Sequence, residues 1–195
     1  MNLNLFLKIP FYIFAAKFKL IIILMKNLVF IAVISVLLIS CGKTEEKKNS
    51  IWEVSSNLDA NNFWINANTL AKGTAHSGLF SSKIDTLVEY GIGIAANFSD
   101  LSEKLPKKVN IHCWIYSTVP NLDASLVCDP NVNGKSLNWQ AFNLKPTITK
   151  ANEWTEFKTS FDLPEEITPD SQLKLFFWNP NKQIFFVDDL EISIE

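Results

Sequence analysis

From Ser50 onward no stretch of this chain holds a 3.6-residue apolar period for three turns. Short runs that alternate apolar and polar residues take its place, each bounded by Asn, Asp, Gly, Pro or Ser. A period of two puts successive side chains on opposite faces of a strand, and many such runs at close spacing are the pattern of a sandwich or barrel. Strands are expected near residues 63–72, 79–85, 90–98, 108–118, 124–129, 136–143, 154–161, 172–178 and 184–194, with a shorter one at 51–55. One turn of helix fits within 100–107. Nine or ten antiparallel strands in about 145 residues imply an all-β fold, a jelly-roll β-sandwich of two antiparallel sheets.

Two turns suggest registers. Asn133-Gly134 is a strong hairpin signal, because a type I′ turn needs positive φ at both positions. As a two-residue loop it sets Asp129 opposite Asn138 and Val127 opposite Gln140. Pro120-Asn121, read the same way, sets Cys113 opposite Cys128, Trp114 opposite Val127 and His112 opposite Asp129. One face would then carry His112, Trp114, Tyr116, Ser125, Val127, Asp129, Asn138, Gln140 and Phe142. The other, with Ile111, Cys113, Ile115, Leu126, Cys128 and Ala141, reads as core. Trp139 falls on the Cys128 side and belongs to the core unless a bulge turns it over. Trp178 shares its strand face with Lys174 and Phe176, and would add a second exposed indole if that strand lies beside His112–Tyr116. Directly opposed, Cys113 and Cys128 are either bridged or two buried thiols.

The residues before this domain have another character. From Met25 the chain reads MKNLVFIAVISVLLISCGK: a lysine, an uncharged apolar run too short to span a bilayer comfortably, then Leu38-Ile39-Ser40-Cys41. That tetrapeptide resembles the lipobox of bacterial lipoproteins. The resemblance implies a signal peptide at 25–40, cleavage before Cys41, and diacylglycerol and acyl chains such as palmitate on that cysteine. Gly42 follows where an aspartate would signal inner-membrane retention, so an outer-membrane lipoprotein is implied. Glu45-Glu46 resembles the acidic cues for surface exposure. Residues 41–50, without an apolar cluster to bury, read as a lipidated flexible tether. Residues 1–24 form a separate apolar extension broken by Pro10 and lysines. Either translation starts at Met25, or this stretch is a membrane helix.

Charge narrows the function. The chain has no arginine, and its net charge of −2 includes four lysines before Cys41 unmatched by any acid, so the remainder carries −6. Phosphate neutralisation needs clustered Lys and Arg, which excludes a nucleic-acid role. Catalysis finds no constellation. His76 and His112 are the two histidines, neither is joined to a nucleophile motif, and the expected outer face offers one carboxylate where glycoside hydrolysis needs two. A non-enzymatic protein is expected. Sugar binding needs less, since the C–H faces of pyranose rings stack on Trp and Tyr while hydroxyls take amides and carboxylates. His112, Trp114, Tyr116, Asp129, Asn138, Gln140 and Trp178 are the candidate ligand-binding residues.

Four stretches in order resemble carbohydrate-binding-module-type jelly rolls: Ala75-His76-Ser77-Gly78 with the strand after it, Lys108 to Ser117, Trp154 to Pro164 (WTEFKTSFDLP), and Phe186 to Ile192 (FVDDLEI). The resemblance implies a glycan-binding, non-catalytic domain. The same fold also serves as a spacer or contact module, so a structural or adhesion lipoprotein with envelope-protein partners is the alternative. The family often places a structural calcium at the closing aspartate, here Asp188. By alternation Asp188 shares a face with Phe186, Leu190 and Ile192 and points inward, while Asp189 points out. A calcium ion or turn amides would each satisfy such a carboxylate.

Overall fold

The computed structural model describes residues 50–59 and 63–195. Cys41, the extension 1–24, the signal segment 25–40 and tether residues 41–49 lie outside them. The strands are β1 (Trp52–Ser56), β2 (Leu70–Lys72), β3 (Phe80–Ile84), β4 (Tyr90–Asn97), β5 (Lys108–Ser117), β6 (Ser125–Val132), β7 (Lys135–Ser136), β8 (Gln140–Asn143), β9 (Trp154–Asp162), β10 (Gln172–Trp178) and β11 (Phe185–Ile194). The one-turn helix is Phe98–Leu101, slightly before its expected position. No helix among the described residues is long and apolar enough to cross a membrane. The expected strand at 63–72 survives only as β2. Asn66 sits at φ 55° and starts a 3₁₀ turn, Ala67–Thr69, that ends the extension.

All pairings are antiparallel and form the two sheets of a jelly-roll sandwich. The first runs β2-β3-β11-β5-β9, and β1 follows β3 along the same edge of β11. The second runs β4-β10-β6-β7, with β8 following β7 along β6. Alternation explains the layers. In β5, Val109, Ile111, Cys113 and Ile115 are buried while the residues between them are half-exposed, and β10 buries Leu173, Leu175 and Phe177 in the same way. The two stripes face each other across one core with Ile92, Ile94, Leu126, Phe157 and Ile192. Each such side chain contributes roughly 1.5–3 kcal/mol by leaving water.

One expected register fails outright. β5 and β6 belong to different sheets, so Pro120-Asn121 is no hairpin. The chain crosses the top of the sandwich there. Thr118 donates to the Ile184 carbonyl, Asn121 to Thr149 and Leu122 to Ile148, and none of these bonds joins the two strands. The physical reason is that β5 and β6 each carry a fully apolar stripe, and two such stripes are buried by facing each other, not by lying side by side. Cys113 and Cys128 are therefore buried free thiols on opposing sheets. Burial pushes both above their ordinary range, Cys128 to about 12.

The Asn133-Gly134 turn forms as expected, with φ of 51° and 78° and Val132 opposite Lys135. Beyond it the register slips by one residue. Asn131 faces Ser136, yet Cys128 faces Gln140, so Asn138 and Trp139 together stand opposite Asp129. This is a β-bulge, and it reverses every side chain of β8. Gln140 and Phe142, expected on the exposed face, turn inward. Phe142 packs on Phe157 with ring centroids 5.3 Å apart, and Gln140 donates from Nε2 to the Asp162 carbonyl at 2.8 Å.

Candidate functional site

The expected ligand-binding residues divide between the two outer faces of the sandwich. His112, Trp114 and Tyr116 alternate outward from β5 in the first sheet. Asp129 and Trp178 face outward from the second, and Asn138 is exposed in the bulge beside Asp129. They are not one surface.

On the first sheet the ridge is covered by the turn at 73–79. The His76 imidazole stacks on Trp114 with centroids 4.0 Å apart and planes 12° from parallel. Tyr116 packs against Trp154 at 5.6 Å and Phe186 at 5.9 Å. His112 does not meet Asp129. Its Nε2 lies 2.9 Å from a Glu156 oxygen and its Nδ1 3.6 Å from Glu191. Lys158 and His112 together hold the Glu156 carboxyl below its usual range, Lys158 being the larger cause. These neighbours make the ridge a small secondary core with a charged border.

The turn is held by β11. Asp189 adopts φ 48°, and with Leu190 it stands opposite the single residue Cys113, a second bulge. The bulge brings both carboxylates to the same turn, contrary to the expected alternation, and leaves Asp188 in register with Trp114 on the outer side. Asp188 is fully buried because the turn lies over it. It accepts the backbone N–H groups of His76 (2.7 Å), Ser77 (3.1 Å) and Asp189 (2.8 Å). Asp189 takes His76 Nδ1 at 2.5 Å and the Ser77 hydroxyl. Burial nonetheless keeps the Asp188 carboxyl above the usual carboxylate range. Three N–H dipoles point their positive ends at this carboxylate, as they would at a bound anion. In this arrangement the turn amides satisfy the Asp188 carboxylate, the second of the two partners expected for it. Among the described residues no group of three His, Cys, Asp or Glu side chains is placed to hold a metal.

The second sheet presents a different outer face. Lys174, Phe176 and Trp178 point outward from the central strand β10. Tyr90 joins them from β4, because Gly91 and Ile92 together oppose Phe177 and this third bulge turns Tyr90 away from the side of Ile92 and Ile94. Gly93 lies opposite Phe176, where any Cβ would come 1.8 Å from the Leu175 carbonyl oxygen. Trp139, sent outward by the bulge before β8, completes the set. Tyr90 and Trp139 are each 51% exposed. Tyr90 meets Phe176 edge-on at 5.7 Å, and Trp139 meets Trp178 edge-on at 6.1 Å. Between the indoles runs β6, whose Val127 is fully buried although it is no part of the sandwich core.

Polar groups are set among the rings. Glu89 accepts the Trp178 indole N–H at 3.4 Å, and its charge raises the neighbouring Tyr90 phenol above its ordinary value. Asp129, in register with Lys174, has one shielded carboxylate oxygen without a hydrogen-bond partner. Of this face the sequence named Trp178 and Asp129 as candidates and placed Phe176 beside Trp178. Tyr90 and Trp139 were not legible as members of it, since strict alternation assigns both to the core side.

No protein-family model and no curated protein matches the chain. Solved structures do. The CBM22-1–GH10 modules of Clostridium thermocellum endo-1,4-beta-D-xylanase 10B, complexed with xylohexaose, align at 13% identity and TM-score 0.50 over 74% of this chain and 28% of that one. The CBM22-2 xylan-binding domain of Paenibacillus barcinonensis Xyn10C aligns at 17% identity and TM-score 0.48 over 75% of this chain and all of that one. The tandem CBM22-1–CBM22-2 domain of the same protein aligns at 17% identity and TM-score 0.49, over 78% of this chain and 51% of that one. At these identities the likeness is one of fold, the jelly-roll sandwich of carbohydrate-binding modules.

Proposed function

We propose that this protein is a non-catalytic, glycan-binding lipoprotein of the bacterial envelope, and that the outer face of its second sheet is the binding surface. One observation carries the reading. Tyr90, Phe176, Trp178 and Trp139 lie on one solvent-facing sheet surface, and two of them are half-exposed with no chain segment to cover them among the described residues. Large aromatic rings left in water are unfavourable unless a ligand or partner takes them up. Sugar rings suit them, since C–H faces stack on the rings while Glu89, Asp129, Lys174 and Asn138 are at hand for hydroxyls. The fold shared with part of the CBM22-1–GH10 modules complexed with xylohexaose supports the same reading. The lipobox at Cys41 supports the anchor, with an outer-membrane and surface location as its extension. The test is retention of the wild-type domain on a panel of immobilised neutral and acidic polysaccharides. Capture of no glycan, together with a stable complex with envelope proteins, would replace this reading with the structural or adhesion one. For the anchor, Cys41→Ala should remove the acyl mass and release the protein from membranes; unchanged membrane extraction would sink it.

A further inference from the structure

We propose that the pole of the sandwich where the chain enters rests on the lipid surface that holds Cys41, and that the opposite pole points away from it. The proposal rests on the lipoprotein reading, and it is independent of what the aromatic face binds. Strand directions define the poles. Ile51 donates to the Ile194 carbonyl and Lys107 to that of Glu195, so residue 51, the start of β5 and the end of β11 lie together. β4 runs from Tyr90 toward this end and delivers the Phe98–Leu101 turn to it. One hollow lies between Ile51 and residues 99–104, and another between residues 105–107 and 163–167. Leu163 joins the walls of the second through its N–H to the Lys107 carbonyl.

This pole is apolar at its tip. Ile51 and Leu105 are 41% and 45% exposed, and half-buried Leu101, Leu163 and Pro164 adjoin them. Its charges are mixed. Lys104 and Lys107 flank Leu105, while Asp100, Glu103, Glu165 and Glu166 lie on the same two segments. Such a set repels a strongly anionic bilayer but matches zwitterionic headgroups, which carry an ammonium and a phosphate each. Reach decides which pole can meet that surface. Ten residues from Cys41 to Ile51 extend at most about 35 Å, and the ten-residue strands β5 and β11 span about 33 Å. To lay the far pole on the membrane, the tether would have to run fully stretched along the whole sandwich. Leu87, 93% exposed in the β3–β4 turn at that far pole, is therefore held clear of the lipid.

The test uses the full acylated chain in vesicles of phosphatidylcholine and phosphatidylethanolamine. Nitroxide labels go on Leu105→Cys or on Leu87→Cys; Cys113 and Cys128 are buried and take no label in the folded protein. Accessibility to oxygen and to a water-soluble nickel chelate is then read. The expected result is a several-fold shift toward oxygen and away from nickel at position 105 on vesicle attachment, and none at 87. Equal aqueous exposure at both positions, or lipid contact at 87, overturns the proposal. So does a purified chain whose mass shows no acyl groups, an outcome that leaves the glycan reading untouched.

Discussion

Replacing Trp178 by alanine tests the assignment of the binding face against the first-sheet ridge that the sequence favoured. Trp178 is half-buried on an outer face, so its removal opens no closed cavity and the roughly 3–5 kcal/mol typical of a buried Trp or Phe does not apply. The loss is instead the edge-on contact with Trp139, worth about 0.5–1.5 kcal/mol, together with part of the cover over Val127. The expected stability loss is about 1–2 kcal/mol, or a fall in Tm of about 2–8 °C for a domain of this size. Binding should suffer more visibly. One stacked ring on the scale of other aromatic contacts, about 0.5–2 kcal/mol, corresponds to roughly two- to thirtyfold in Kd. Trp114→Ala is the control: its ring is already stacked by His76, and it should leave Kd unchanged while loosening the turn at 73–79. Calorimetric titration with a glycan that retains the wild type, and thermal unfolding of the same samples, read both effects. In the Trp139→Ala/Trp178→Ala double variant the stability losses should be less than additive, because both substitutions delete one contact. The assignment is wrong if Trp114→Ala weakens binding and Trp178→Ala does not.

Other substitutions probe the frame. Gly93→Ala would drive a methyl into the Leu175 carbonyl, so about 3 kcal/mol or more should be lost and β4 should exchange its amide protons early; near-wild-type urea unfolding would contradict the close approach. In the native protein neither Cys113 nor Cys128 should react with a disulfide reagent, and both should appear after denaturation without reductant; the loss of both would reveal a bridge. Asp188→Asn addresses pH. The folded Asp188 carboxyl is raised above its unfolded value, so its contribution is most favourable below the ordinary aspartate range and declines as pH rises through the folded value. Urea unfolding from acid to neutral pH should show the wild type losing ground relative to Asp188→Asn, and the opposite trend would refute the burial.

The strands were legible because their signal is local. All eleven strands overlap expected runs of alternating residues, and β7 and β8 share one such run that the bulge divides. The Asn133-Gly134 turn was legible for the same reason, since two left-handed positions leave few residue choices. Which strands become neighbours was not. The stripe of Ile111, Cys113 and Ile115 says that β5 has a buried face, but a second stripe on β6 can cover it from across a core as well as from the same sheet. That choice is made by bonds such as Leu122 to Ile148 and Thr118 to Ile184, between segments far apart in sequence.

The proposed binding face was obscured by a single physical device used three times. In β4 the pair Gly91 and Ile92 opposes Phe177, before β8 the pair Asn138 and Trp139 opposes Asp129, and in β11 the pair Asp189 and Leu190 opposes Cys113. Each extra residue reverses the parity between the positions before it and those after it on its strand. Two of these bulges move Tyr90 and Trp139 from the core side to the solvent side, where they meet Phe176 and Trp178. The third turns Asp188 and Asp189 together onto the His76–Ser77 turn, and that turn closes over Trp114. A bulge leaves an unpaired backbone position and interrupts the ladder, so a sheet built only for stability has little reason to hold three. Here they remove the ridge on one face from solvent and build an open aromatic platform on the other. Deleting Asn138 should therefore close the bulge with Trp139 alone opposite Asp129, still on the solvent side, while Gln140 and Phe142 keep their places opposite Cys128 and Leu126. The expected result is a domain that keeps its glycan retention and unfolds within a few degrees of the wild type, read by thermal unfolding and by retention on the same polysaccharide. A deletion variant that loses both would show that Trp139 does not reach the solvent face by sharing the place opposite Asp129.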